Sequence, residues 1–281
     1  MLKYISLTRT IVAVLVMSVA LMSCDKDSDN EIEKEKEKET EKETEKEEEK
    51  KIKEMLLETI INNNGTFTMY EYDEQNRITE YISYNNAGYP QNKTTLHYEG
   101  AELVKQVYLN LTSQTDYGYL YTFNKIGDTI FIERSETNNE GISRTEDYGK
   151  IELNSDGMPV KRFLSIISES LYSTNNGYSI INGNCMSYTY KYIYYSGSED
   201  DNYSIEYTFD NKYSPYYFCK TPKWFMLCYI SGNNNNITYA DYDDGRWSKF
   251  DYIYNDNGYP TIRKETNQNS EAGFTTEYLY K

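Results

Sequence analysis

The chain has 281 residues and a formal net charge of −16, from 45 acidic and 29 basic side chains. Condensed phosphate repels so acidic a surface, which makes nucleic acid and anionic lipid head groups poor partners, and no nucleic acid is expected. A single histidine, His97, excludes a histidine-rich metal site. No Gly-x-Ser-x-Gly elbow accompanies it, so a serine triad has no further support.

Residues 1–24 read as a targeting segment. Lys3 and Arg9 precede IVAVLVMSVALM at 11–22. An apolar run of that length suits a signal peptide and falls short of the about 20 residues that span a bilayer. It ends in Leu21-Met22-Ser23-Cys24, which resembles the bacterial lipobox. The resemblance implies removal of 1–23 and lipidation of Cys24, because a thioether-linked diacylglycerol needs a thiol. Two or more palmitate-type acyl chains anchor a protein stably where one does not. The expected partner is therefore a membrane, held through the N-terminal lipid and not crossed. Asp25, Asp27 and Asp29 alternate, but an EF-hand loop would need glycine at Asn30 and glutamate at Lys36. The acidic stretch after the cysteine instead resembles the export signal of Bacteroidetes-type surface lipoproteins. That implies the outer membrane and its cell-surface leaflet, with the periplasmic leaflet as the alternative.

Residues 24–54 form a Glu/Lys-rich stalk, with glutamate at every odd position from Glu31 to Glu49. Like charges at i,i+4 oppose a helix, opposite charges at i,i+3 offset them, and no apolar face exists to pack. The segment should stay solvated as a spacer, about 30 Å long as coil and about 45 Å if helical.

From 55 to 281 the pattern has period two, punctuated by Asn, Asp and Gly. Residues 55–63 lead in as a strand or helical turn, and no amphipathic helix is expected after about residue 60. Strand–turn–strand units follow at 66–90, around Asn124–Asp128, around Asn154–Gly157 and around Asn255–Gly258, with a last strand at 274–280. The clearest copies are Tyr70-Glu-Tyr72-Asp73-Glu-Gln-Asn76-Arg77 and Tyr252-Ile-Tyr254-Asn255-Asp-Asn-Gly258-Tyr259-Pro260-Thr261. Asn or Asp opens such a turn by bonding its own backbone, and Gly or Asn accepts positive φ. Flanking tyrosines then pair across strands. The stripe Tyr188, Tyr190, Tyr192, Tyr194 is chiefly sheet construction, since the chain holds 32 tyrosines and such stripes recur.

These units resemble the YD-type repeats of bacterial surface proteins. With YTFDNKYSP (207–215), SGNNNNITY (231–239) and YIYNDNGYPT (252–261), the domain is similar to the lipoprotein family called domain of unknown function 4595. The match spans about 60–281 and is most secure at 188–281. It implies a porin-like β fold and no biochemical activity. The expected fold is all-β, an antiparallel meander of Tyr-rich hairpins forming a curved sheet or barrel. It should not be transmembrane, because Lys, Glu and Asn intrude on both faces where lipid demands a steady apolar stripe. The tyrosines are expected to fill one face with hydroxyls turned outward.

Candidate chemistry is sparse. With Cys24 lipidated, Cys185, Cys219 and Cys228 remain; Cys219 and Cys228 either bridge in an oxidising compartment or stay free. Asp241, Asp243 and Asp244 before Gly245 offer a weak calcium site or a plain hairpin turn. Trp247, beside Arg246, and Trp224 are the candidate ligand contacts, because sugar C–H faces pack on aromatic rings. Carboxylates abound, but a glycosidase pair is defined by separation in space. No enzyme activity and no cofactor are expected. The expected function is surface binding or adhesion to a glycan or protein; the alternative is a periplasm-facing assembly protein at an outer-membrane complex.

Overall fold

The computed structural model describes residues 54–112, 117–138, 141–166, 172–194 and 202–281. The expected signal peptide, Cys24 and the stalk up to residue 53 lie outside the described residues.

The Asn/Asp-led turns fold as their residues require. In six hairpins the first turn residue donates its N–H to the carbonyl four residues on, and the fourth residue's N–H returns to the first carbonyl. They begin at Asn62, Asp73, Asn85, Asn154, Tyr242 and Asn255. The fourth residue is Gly, or Asn76 in one case, with φ between +63° and +82°. Asn255 Oδ1 also accepts the N–H groups of Asn257 (3.0 Å) and Tyr259 (3.1 Å). Asp73, Asn85 and Asn154 do the same two and four residues on. Around Asn124–Asp128 the strands run further than expected, through Ile126, and the turn tightens to Gly127–Asp128.

Sixteen strands result among the described residues. They are β1 (Leu57–Asn62), β2 (Phe67–Tyr72), β3 (Ile78–Tyr84), β4 (Pro90–Glu99), β5 (Glu102–Asn110) and β6 (Gly118–Ile126). Next come β7 (Thr129–Asn138), β8 (Gly141–Leu153), β9 (Pro159–Ile166), β10 (Tyr172–Ile181) and β11 (Asn184–Tyr194). The last are β12 (Asn202–Phe209), β13 (Ile237–Tyr242), β14 (Trp247–Tyr254), β15 (Pro260–Asn267) and β16 (Ser270–Tyr280). Each pairs antiparallel with the next, and β16 pairs with β1, so the sheet is a closed barrel. Leu56 and Lys281 exchange backbone hydrogen bonds beside that seam. Closure leaves no strand edge to template aggregation.

Side chains alternate between wall and lumen. Inward positions supply the core: Leu57, Tyr70, Leu96, Phe123, Ile132 and Ile151 are buried. Outward positions between them include exposed charges, Glu71, Lys161, Glu206, Lys249, Lys264 and Glu277, interspersed with exposed apolar residues such as Phe131, Ile253 and Leu279. Lys93 and Glu80 pair across strands on that face at 2.7 Å. The tyrosines do fill one face, and it is the inner one: Tyr188, Tyr190 and Tyr192 sit in register with Tyr178, Asn176 and Thr174, of which Thr174 and Asn176 are buried.

The β12–β13 connection, 210–236, folds into the barrel as a plug. It carries a short helix α1 (Lys223–Phe225) and a π-helical turn, Met226–Ile230. Trp224, Phe225 and Met226 join the barrel's own core cluster. Polar bonds tie the plug to the wall all round. Tyr216 meets the Tyr70 hydroxyl of β2 at 2.9 Å, and Thr221 Oγ1 accepts the Ile78 N–H of β3 at 2.8 Å. Arg162 of β9 donates to the Cys228 carbonyl at 3.0 Å. Asn233 Oδ1 accepts the Cys185 N–H of β11 at 2.8 Å. Tyr254 of β14 donates to the Asp210 carboxylate. Because strands alternate in direction, the plug enters at the end that also holds the start of β1 and the turn at Asn255.

Phe225, fully buried, tests the plug's part in stability. Phe225→Ala should cost about 3–5 kcal/mol in denaturant unfolding, whereas Lys249→Ala on the outer wall should stay within about 0.5 kcal/mol. A loss below about 1 kcal/mol for Phe225→Ala would mean that the plug is not part of the cooperative core.

Candidate functional site

Two cavities lie inside the barrel on either side of the plug's 231–237 stretch. One, about 230 Å³, is bounded by Ile60, Tyr216, Phe250, Tyr252, Arg263 and Tyr278. The other, about 200 Å³, is bounded by Arg162, Tyr178, Cys185, Tyr188, Tyr207 and Cys228. Ser231, Asn233 and Ile237 line both, so this stretch is the ridge between them.

Each cavity holds one arginine, and their surroundings differ. Arg263 on β15 reaches Thr276 Oγ1 at 3.3 Å and has Glu265 as counter-ion at 3.9 Å. Arg162 on β9 lies over the Tyr229 ring at 4.5 Å and bonds the Cys228 carbonyl. Among the described residues no carboxylate forms an ion pair with Arg162.

Tyrosines make the wall above the Arg162 cavity. The rings of Tyr178 and Tyr188 are 5.2 Å apart, and those of Tyr188 and Tyr190 6.2 Å apart. Tyr190 stacks on Tyr203 at 5.0 Å and meets Tyr192 edge-on at 4.3 Å. Burial raises the pKa of Tyr178, Tyr188 and Tyr207 above the usual phenol value. These rings therefore stay neutral, with hydroxyls that donate and accept. Burial also pushes the Cys185 thiol up to about 12 and the Cys228 thiol up to about 11, so neither is a thiolate near neutral pH. Burial moves Lys223 down to about 8; its Nζ donates to the Gly232 carbonyl at 2.9 Å. The arrangement can hold a polar ligand with flat apolar faces.

The residues singled out from sequence are dispersed. Trp224 is 3% exposed and packs edge-on against Phe123 at 5.2 Å, inside the plug. Trp247 opens β14 on the outer wall, its ring parallel to Tyr239 at 6.4 Å. Arg246 sits in the preceding turn, paired with Asp244 at 2.6 Å and lying over Tyr242. Asp243 accepts the Ser204 N–H at 2.6 Å, and Asp241 is exposed on β13. The three carboxylates thus have separate surroundings, and no group of three metal-ligating side chains occurs among the described residues. Cys219 and Cys228 are free thiols. Cys219 lies 4.0 Å from the Met226 sulfur, whereas Cys228 hydrogen-bonds Tyr178 on the opposite wall. His97 is an exposed strand residue of β4. Asn233 and Asn236, in a run that reads as a loop, are buried plug residues. Arg162 escapes sequence reading because it follows Lys161; its signal is that it shares a strand face with buried Leu164.

Fold and lumen together define a closed, internally plugged antiparallel β-barrel. No family model and no curated protein matches the chain. Among solved structures, it is similar to a porin-like protein from Bacteroides vulgatus ATCC 8482. That likeness has 10% identity and a TM-score of 0.44, covering 81% of this chain and 99% of that one. A porin-like protein from Bacteroides uniformis ATCC 8492 gives 12% identity, a TM-score of 0.33 and coverage of 81% and 95%.

Buried tyrosines set an alkaline limit. Burial pushes Tyr70 up to about 12, against an opposing hydrogen bond from Tyr216. Its folded pKa exceeds the unfolded value of about 10, so its contribution is complete below pH 10 and lost as pH rises toward 12. Lys223 works the other way. Between about 8 and the ordinary lysine value its folded form binds fewer protons than the unfolded chain, so stability gains with pH there. In an alkaline titration, the tyrosinate absorbance of the lumen tyrosines should appear together with loss of β-sheet circular dichroism. Complete tyrosine ionisation near pH 10 with the sheet intact would contradict this burial.

Proposed function

We propose that the protein is a lipid-anchored, non-enzymatic binding module of the bacterial outer membrane, displayed at the cell surface, which takes a glycan or protein ligand. The observation that carries this reading is the outer wall. Exposed charges such as Glu71, Lys161, Lys249 and Glu277 stand on strand after strand, where a membrane barrel needs an apolar band about 25 Å tall. A barrel with that wall belongs in water, and the membrane attachment falls to Cys24. The Asn/Asp-led hairpins support placing the chain with the family called domain of unknown function 4595. The lumen supports binding over catalysis: neutral tyrosines and protonated thiols surround its cavities. A glycan is the favoured ligand, because tyrosine rings pack sugar C–H faces while their hydroxyls meet sugar hydroxyls.

Cys24→Ala in the full chain should shift the protein from the membrane fraction to a detergent-free soluble one, with its circular dichroism unchanged. Retention in washed membranes would show that the barrel itself inserts. Protease added to intact cells should then destroy the wild-type barrel epitope. Protection until permeabilisation would favour the periplasmic assembly role and remove the surface reading.

A further inference from the structure

Arg162 lies within the lumen, and among the described residues no carboxylate compensates its charge. Alternation on β9 places it with Leu164 on the inner face, in register with buried Asn176 of β10. Removing a guanidinium from water costs several kcal/mol unless a counter-ion and full hydrogen bonding offset the loss. The lumen supplies only part of that. Nη1 donates to the Cys228 carbonyl, the Tyr229 ring lies beneath the guanidinium, and the Tyr178 hydroxyl is a further neighbour. Nε is buried with no partner. Arg263, across the plug, has Glu265.

The cavity beside Arg162 is built for a negative group. None of its lining residues is acidic, and its two thiols are neutral. Tyr188 and Tyr207 also line it. At about 200 Å³ it is smaller than the about 300–1,000 Å³ that encloses a whole drug-sized ligand. It therefore suits the charged end of something longer. The continuation is at hand: Tyr190, Tyr192 and Tyr203 carry ring faces along β11 and β12, away from the plug.

We propose that this cavity is an anion subsite that takes the carboxylate of an acidic saccharide, with Arg162 as the fork and the β10–β12 tyrosines as the platform for the following sugar rings. Arginine suits the task because its planar fork binds a carboxylate through two parallel hydrogen bonds. The ring of Tyr229 beneath it fixes the plane of that fork. Tyrosine suits the platform because a packed row of rings presents apolar carbon and hydroxyls together to a sugar chain. The proposal rests on the lumen being the binding site for a glycan.

The test is calorimetric titration of the full chain with three probes: galacturonic acid oligomers, the same oligomers as methyl esters, and sodium sulfate. Binding of the acid oligomers at least tenfold tighter than the esters is expected. Arg162→Gln should lower the acid affinity at least tenfold, bringing it down to the level of the esters. Arg162→Lys, which keeps the charge without the fork, should fall between. Tyr190→Ala should weaken both oligomers. Removing a buried charge that no described carboxylate compensates should leave the melting temperature of Arg162→Gln level or raised, so lost binding is separable from misfolding. Equal binding of acid and ester, untouched by Arg162→Gln but weakened by Tyr190→Ala, would overturn the anion subsite and leave the lumen reading standing. Sulfate binding as tightly as the acid oligomers would make this a bare-anion site and overturn the saccharide. Binding indifferent to both variants, or no binding by any probe, would overturn the subsite together with the lumen as a glycan site.

Discussion

Sixteen strands enclose more space than their own side chains can fill. Barrels of that size leave an aqueous channel unless something fills it. Here the chain between β12 and β13 turns inward and supplies the missing volume. Phe225 and Met226 are buried as deeply as any wall residue, each worth about 1.5–3 kcal/mol of transfer free energy. A connection inside a barrel brings polar backbone with it, and those groups need partners. Arg162 donates to the Cys228 carbonyl and Lys223 to the Gly232 carbonyl, while the plug side chains Thr221 and Asn233 in turn accept the wall N–H groups of Ile78 and Cys185. The plug is therefore bonded round the barrel rather than resting in it.

The same constraint explains the tyrosines. An inner wall that faces a plug in some places and a wet cavity in others needs residues that suit both. Tyrosine brings bulk to fill space and a hydroxyl to meet water, plug or ligand. Tyr70 and Tyr98 use theirs on the plug, reaching Tyr216 and Thr221. Tyr188 and Tyr207 line a cavity. The outer wall carries lysine and glutamate on strand after strand, with single aromatic and aliphatic residues such as Tyr239, Phe131 and Ile253 between them. Relative to a membrane barrel, the polarity of the wall is shifted toward water on the outside and toward aromatic packing within.

Much of this was legible residue by residue. Asn85 with Gly88 and Asn255 with Gly258 announce their turns, and the folded hairpins use those side chains as the pattern implies. Alternation gave the strands between them. Closure was not legible, because the β1–β16 seam joins Leu57 to Tyr280 with no local signal at either end. Nor was the direction of the tyrosine stripe: alternation says that Tyr188, Tyr190 and Tyr192 share a face, and only register with buried Thr174 and Asn176 makes it the lumen. The plug had a signal that passed for a loop. WFMLCYI, 224–230, is a consecutive apolar run between Pro222 and the Asn233–Asn236 stretch, longer than any other after residue 55. Arg162 reads as one more surface charge until the register of β9 turns it inward.

The seated plug is most directly tested by hydrogen exchange on the intact protein. The N–H groups of Ile78 and Cys185 are barrel amides whose hydrogen bonds end on plug side chains, Thr221 and Asn233. These two amides, and peptides covering 219–236, should exchange as slowly as the central strands. Exchange of the plug and of both amides within seconds at neutral pH, while the strands stay protected, would mean that the barrel stands without its filling and that the lumen described here does not exist in solution.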